Sequence, residues 1–185
     1  VIVGLTGGLA AGKSFVAAEL RKLGCVVVEA DDLGHEVLKP GGEVYDAVRR
    51  EFGTAGRREL AKIVFSDPAK LARLNAIVHP AVRERAQAEF AKHPGEIVVY
   101  VAAILIESGG YKDMEKLIVL RCTREQQIAR ALERPGATIE DVLARLARQL
   151  PLEKKLPCAD YIVDTGGTKE ETVSQIRMVV EDLKK

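Results

Sequence analysis

Gly7-Gly8-Leu9-Ala10-Ala11-Gly12-Lys13-Ser14, set directly behind the apolar run Val1-Ile2-Val3-Gly4-Leu5, is the stretch that decides the fold. It fits G-x-x-x-x-G-K-[ST], the phosphate-binding loop (P-loop), and its surroundings fit as well as its letters. A buried-strand pattern precedes it. Behind it, apolar Phe15, Val16, Leu20 and Leu23 and charged Glu19, Arg21 and Lys22 fall at helical spacing. Strand, loop and helix in this order aim successive backbone N–H groups and a helix N-terminus at one point, which suits a polyphosphate. Lys13 then adds a point charge near the outer phosphates, and the Ser14 hydroxyl is a ligand for Mg²⁺. The bland alternative, a Gly-rich turn that happens to carry a lysine, explains neither the strand before nor the helix after. The expected ligand is a nucleoside triphosphate.

The 185 residues suffice for one sizeable α/β core with a small inserted helical region. A hydrophobic fraction of 47% with 30% charged residues is that of a soluble globular chain, and the net charge of +1 gives no global reason to expect nucleic acid as a partner. Cys25, Cys122 and Cys158 are widely spaced and form no metal-ligand pair, so buried reduced thiols are expected. No apolar run approaches the ~20 residues that span a bilayer. The opening residues read as a core strand rather than a signal peptide, and the expectation is a cytoplasmic protein.

Apolar runs alternate with amphipathic stretches, the pattern of a parallel sheet covered by helices on both faces. Short, β-branched strands are expected over 1–5, 26–28, 97–101, 117–120 and 161–163. Helical patterns cover 14–23, 32–38, 43–52, 59–65, 80–92, 124–133, 139–149 and 169–184. The helical stretch between the second and third strands is far longer than a simple crossover needs, so it reads as an insertion with its own task.

Val26-Val27-Val28-Glu29-Ala30-Asp31-Asp32 is a strand that ends in acids. Ligands of α/β sheets sit off the carboxyl ends of strands, which places Asp31 toward the same crevice as the loop. If strand geometry persists, Glu29 and Asp31 share one side and Ala30 takes the other. A carboxylate there can accept the proton of an attacking hydroxyl or hold Mg²⁺. Asp31 or Asp32 can equally cap the helix that follows. Arg124, Arg130, Arg134, Arg145 and Arg148 crowd a segment broken by Pro135-Gly136, with Arg130 and Arg134 on one helical face. They read either as a lid that swings over a triphosphate or as a solvated face paired with Glu133, Glu140 and Asp141. His79, directly before Pro80, reads either as the residue that opens a helix or as an acceptor contact. His35 reads as a partly exposed helix residue. Glu107 either orders the loop after the third strand or touches the acceptor.

The whole pattern resembles the dephospho-CoA kinase family. The likeness is carried by Gly4-Leu5-Thr6-Gly7-Gly8 running into Gly12-Lys13-Ser14, by Glu29-Ala30-Asp31 and by Pro40-Gly41. It continues through Leu74-Asn75-Ala76-Ile77-Val78-His79-Pro80, Leu105-Ile106-Glu107-Ser108-Gly109 with Tyr111, Arg130 and Arg134, Arg148-Gln149, and Ala159-Asp160-Tyr161-Ile162-Val163-Asp164. The resemblance implies an α/β, three-layer P-loop kinase fold, with a five-stranded parallel sheet, helices on both faces, a helical insertion and a lid. It implies one domain over 1–185, made of a nucleotide core (about 1–38, 96–123 and 158–185), an acceptor-binding insertion (about 39–95) and a lid (about 124–157).

The activity it implies is transfer of the ATP γ-phosphate to the ribose 3′-hydroxyl of dephospho-coenzyme A, the last step of coenzyme A biosynthesis. Asp31 matches the family's general base, with Lys13 and Arg130 as its catalytic companions. Gly8, Ala10, Ala11, Gly12, Lys13, Ser14, Phe15, Arg130 and Arg134 fall on the nucleotide side. Thr6, Glu29, Asp31, Asn75, His79 and Arg83 fall on the acceptor side, and Ser14 alone on Mg²⁺. Implied partners are a small-molecule substrate, with no nucleic acid and no membrane, for a monomer or weak homo-oligomer.

Several positions depart from the family pattern. Ala10 and Ala11 stand where glycine and a small polar residue are usual, Phe15 where threonine is, Glu29 where an aspartate is, and Thr165 where asparagine is. Val101-Ala102-Ala103 offers no acid after the third strand, so no second carboxylate for Mg²⁺ is visible there. Two other readings compete: another small-molecule kinase, of the nucleoside monophosphate or shikimate type, and a nucleotide-sensing ATPase switch.

Overall fold

A computed structural model describes residues 1–185. Five strands form one sheet: β1 (Ile2–Thr6), β2 (Val26–Glu29), β3 (Val98–Val101), β4 (Lys116–Arg121) and β5 (Tyr161–Asp164), in the order β2-β3-β1-β4-β5. The strands are all parallel and the fold is a three-layer α/β fold, as the sequence pattern predicts. Strand alternation explains how so short a sheet holds together. Val3, Leu5, Val99, Val101, Ile118, Leu120 and Val163 fill one face, packed with Val16, Ala17 and Leu20 and with Ile176, Val179 and Val180. The residues between them, Thr6, Val98, Tyr100, Leu117 and Val119, are buried as well. In β1, β3 and β4 side chains of both parities are therefore out of water, which is why these strands read as continuous apolar runs.

The first face is covered by α1 (Lys13–Lys22) and α9 (Lys169–Leu183). β1 lies in the middle of the sheet, flanked by β3 and β4. From β1 the chain heads for the β2 edge, and from β3 it heads for the opposite edge. Neighbouring strands β1 and β3 therefore send their connections to opposite faces, and this opens a crevice at their carboxyl ends.

Local sequence explains the remaining helix starts. α6 (Arg124–Leu132) and α9 each open with a reciprocal capping box, Thr123 with Gln126 and Thr168 with Glu171. α7 (Ile139–Ala147) opens on Thr138, whose hydroxyl accepts from the Asp141 amide. A short α8 (Leu152–Lys155) follows, which helical spacing alone does not reveal because it is only four residues long.

The chain forms two compact units, Val1–Val28 with His93–Lys185, and Glu29–Lys92. The second comprises α2 (Ala30–Leu38), α3 (Tyr45–Phe52), α4 (Arg57–Val64) and α5 (Pro68–Ala91). Compared with the expected insertion of about 39–95, it also takes in Glu29 and α2. It has its own apolar core of Val37, Val44, Val48, Ala55, Leu60 and Val82, against which Leu74, Ile77 and Val78 pack. Arg85 on α5 grips Glu43 with a two-pronged set of bonds at 2.8–3.0 Å.

The largest departure from the sequence reading lies in α5. Pro80 reads as a helix start, but one helix of 24 residues runs from Pro68 to Ala91 with Pro80 inside it. The real start is Asp67-Pro68, where the Asp67 carboxylate accepts from the Lys70 amide at 3.0 Å. His79 is consequently a mid-helix residue and opens nothing. Pro80 is exposed, so water can reach the Ala76 carbonyl that the ring leaves without an N–H partner. Pro80→Ala should restore that bond and stabilise the protein by about 1–3 kcal/mol, after allowance for a looser unfolded chain. The check is the denaturant midpoint; a midpoint that stays put or falls contradicts an interior proline cost.

Candidate active site

The loop between β1 and α1 turns on two left-handed residues. Gly12 has φ 97°, which glycine adopts at no steric cost, whereas Ala10 has φ 55° and is the one residue other than glycine with positive φ. A Cβ in that region costs about 1–2 kcal/mol. The departure at Ala10 is therefore one of backbone strain, offset in part because Ala10 packs with Leu9 against Ala131, Val142 and Leu146. The first turn of α1 presents N–H groups that the helix itself cannot satisfy. The Ala11 amide is engaged by the Gly8 carbonyl at 3.1 Å, closing a tight turn inside the loop. Lys13 Nζ lies over the loop and donates to the Gly7 and Gly8 carbonyls at 2.9 and 3.0 Å. Ser14 is exposed at the start of α1.

Support for the loop comes from further along the chain. The Thr165 hydroxyl donates to the Ala11 carbonyl at 2.6 Å, and Arg130 Nη2 donates to the Thr165 carbonyl at 2.6 Å. Arg130 is thus half-buried beside the loop rather than part of a solvated face, while Arg134, one turn on, is exposed. Thr165 is legible in the sequence only as a departure from a family pattern; nothing in its local sequence announces a bond to Ala11. Phe15 packs into the core shared by α1 and α9, with Lys169 over its ring at 5.7 Å. That leaves its backbone amide, not its side chain, at the start of the helix.

Other expected site residues are placed differently. Thr6 is fully buried, and its hydroxyl donates to the Ala103 carbonyl at 3.3 Å, so no surface of it is open to an acceptor; it holds the loop after β3. β2 ends at Glu29 and Ala30 already begins α2, so Glu29 and Asp31 do not alternate along a strand. Neither Asp31 nor Asp32 caps α2 either: the cap position is Glu29, without a side-chain cap bond, and both aspartates sit in the first turn. Carboxylates there are favoured by the helix dipole, and both are exposed. Asn75, His79 and Arg83 fall at successive four-residue steps along the unbroken α5, which aligns them on one face. Partial desolvation holds the His79 imidazole below its ordinary pKa and favours the neutral ring at neutral pH.

Glu107 orders the loop after β3. Its Oε2 accepts from the Leu150 amide at 3.3 Å and lies 3.4 Å from Nζ of Lys155, a fully buried lysine that the sequence reading does not single out. All three cysteines are unpaired, and burial raises the thiol pKa of Cys25 and Cys122, leaving them poor nucleophiles.

A central strand, a glycine-bearing loop with an overlying lysine, and a helix N-terminus at the sheet's carboxyl edge define a P-loop kinase fold. The family described as dephospho-CoA kinase matches residues 1–171. A dephospho-CoA kinase of Geobacter sulfurreducens is 36% identical over 189 residues, covering 96% of each chain. Among solved structures, TT1252 from Thermus thermophilus superposes with a TM-score of 0.87 at 31% identity, over 99% of this chain and 97% of that one. A dephospho-CoA kinase from Campylobacter jejuni shares the fold with a TM-score of 0.72 at 23% identity, over 99% and 96%. The chain belongs to the dephospho-CoA kinase family.

The Thr165–Ala11 bond makes a direct prediction. Thr165→Val leaves the Ala11 carbonyl without that partner and should cost about 1–3 kcal/mol of stability. Thr165→Ser keeps the hydroxyl and should recover most of the loss. Chemical denaturation of the three proteins decides it, and a valine variant as stable as the parent refutes a supporting bond.

Proposed function

We propose that Asp31 is the general base and the loop with Lys13 the phosphate clamp in ATP-dependent phosphorylation of the ribose 3′-hydroxyl of dephospho-coenzyme A. Family membership makes the chain a dephospho-CoA kinase by activity, acting in coenzyme A biosynthesis with ATP as its phosphate donor. The same match favours this acceptor over nucleoside monophosphates, shikimate or a switch function. The observation that carries the clamp assignment is the cradle itself: a helix N-terminus facing the carboxyl edge of the sheet, with Lys13 Nζ poised on the Gly7 and Gly8 carbonyls. The Asp31 assignment rests on its match to the family pattern and on its exposed carboxylate in the first turn of α2.

In this reading the N–H groups of Ala10 and of residues 12–15 bind the β- and γ-phosphates, the Ala11 amide being held by the Gly8 carbonyl, and Lys13 leaves the loop carbonyls to meet them. Arg130, already beside the loop, stabilises charge on the transferring group, with Arg134 reaching in from the exposed turn beyond. Asp31 takes the proton of the attacking hydroxyl. Asn75, His79 and Arg83 offer the acceptor a row of one amide, one neutral imidazole and one guanidinium along α5, with Glu29 nearby in sequence to Asp31.

Mg²⁺ fits the donor set at Ser14, a hard hydroxyl oxygen at the mouth of the loop. The fold offers no cluster of three or more His, Cys, Asp or Glu as a rival site. When bound, the ion neutralises charge on the phosphates. Ser14 would hold it, and phosphate oxygens and water would supply the other ligands. No helix is long and apolar enough to cross a membrane. With three unpaired cysteines and a net charge of +1, we assign a cytoplasmic enzyme, monomeric or weakly self-associating, that acts on a small molecule without nucleic acid.

Asp31→Asn should lower turnover by about 10²-fold or more while leaving ATP affinity nearly intact, since general-base catalysis contributes on that scale. Near-normal turnover removes Asp31 from the role. Lys13→Ala should weaken ATP binding as well as rate, and calorimetry showing unchanged affinity contradicts the clamp. ADP release measured in parallel with dephospho-CoA, AMP, CMP and shikimate should respond to the first alone.

A further inference from the structure

Leu9 is held from both sides by the segment expected to be the lid. Its amide donates to Gln149 Oε1 at 2.8 Å, and its carbonyl accepts from Gln127 Nε2 at 3.0 Å. Gln127 lies in the opening half of α6 and Gln149 just past the end of α7, so the two roots of the α6–α7 hairpin converge on one residue of the phosphate loop. The side chain repeats the connection, since Leu9, Ala10 and Ile128 pack against Ala131, Val142 and Leu146, the hairpin's own small core. Gly8 makes room for this: a Cβ there would collide with Gln127 Nε2 and lie 3.5 Å from Gln149 Oε1.

The second root is itself anchored. Leu150, next to Gln149, donates its amide to Glu107 Oε2, and the same carboxylate is paired with Lys155, whose side chain is 2% exposed. Lys155 Nζ and Glu107 Oε1 are buried without a hydrogen-bond partner, so breaking the 3.4 Å ion pair would leave a buried charge uncompensated.

We propose that Gln127 and Gln149 are positioning residues that hold Leu9 and thereby set the loop's N–H groups before nucleotide arrives, making the base of the α6–α7 hairpin and the loop one mechanical piece. The proposal rests on the phosphate-loop reading. It differs from a lid that swings as a whole over the triphosphate: here the base of the hairpin stays on the loop, and only the exposed end carrying Arg134 and Pro135-Gly136 is free to move. Neither glutamine needs to touch substrate.

Amide exchange at Leu9, measured by NMR in the nucleotide-free protein, tests the clamp without any nucleotide. Leu9 should be protected in the parent. Gln149→Met, which keeps the length and shape but loses the acceptor, should speed its exchange about five- to tenfold, the worth of one neutral hydrogen bond. Gln149→Glu, which keeps an acceptor oxygen, should leave it protected. Gln127→Met and Gln149→Met should each weaken binding of a non-hydrolysable ATP analogue by a similar factor, and leave the KM for dephospho-CoA within about twofold. An unprotected Leu9 amide in the parent overturns the clamp even if no variant folds. So does unchanged exchange in Gln149→Met, or faster exchange with unchanged analogue affinity. Failure of the parent to bind the analogue at all overturns the phosphate-loop reading instead, and the exchange measurement still decides the clamp independently.

Discussion

The arrangement depends on one awkward requirement: α1 must begin beyond the carboxyl end of the central strand β1 with its first N–H groups aimed at a space rather than at protein. Backbone donors left this way are costly unless something polar arrives. The loop in front of them therefore needs support from everywhere except the side that must stay open. The structure supplies it piecemeal. Thr165 takes the Ala11 carbonyl, Gln127 and Gln149 take the two polar groups of Leu9, and Lys13 occupies the Gly7 and Gly8 carbonyls. Arg130 reaches the same neighbourhood by bonding the Thr165 carbonyl. A nearly neutral chain can attract a highly charged ligand here because the attraction is local, made of dipoles, the Lys13 ammonium and the nearby Arg130 guanidinium.

The sheet is legible in the sequence because its central strands β1, β3 and β4 are buried on both faces and all five strands are short β-branched runs. The loop is legible because its glycine and lysine spacing has a mechanical meaning. What escapes the sequence shares a different property: each feature is decided by contacts distant in the chain. Thr6 looks like any loop-proximal hydroxyl until its partner, the Ala103 carbonyl, is seen. Lys155 looks like a surface lysine in a charged stretch, and only Glu107, far away in sequence, explains its burial. Pro80 misleads for a local reason. Proline is a good first residue of a helix and a poor interior one, so propensity alone places a boundary where tertiary packing of Val82, Ala86 and Phe90 carries the helix straight through.

Correcting that boundary changes how the residues assigned to the acceptor are related to one another. A helix starting at Pro80 would have left Asn75 and His79 outside it, with no fixed relation to Arg83. The continuous α5 instead gives all three a common axis and spacing, and it does so within a unit that owns its apolar core. The acids at the end of β2 travel with this unit as well, because α2 begins at Ala30. The groups assigned to the acceptor and the proposed base thus belong to one compact body, and those assigned to the triphosphate belong to the other.

The alanine at position 10 has a thermodynamic corollary. A glycine in its place would sample many backbone states before ligand capture and would surrender them on capture. A methyl-bearing residue already lodged at φ 55° has far fewer states to surrender. The strain of that torsion is present in the folded chain before and after ligand capture, so it lowers folding stability but cancels from binding, while the ordering entropy of each encounter with a ligand is smaller.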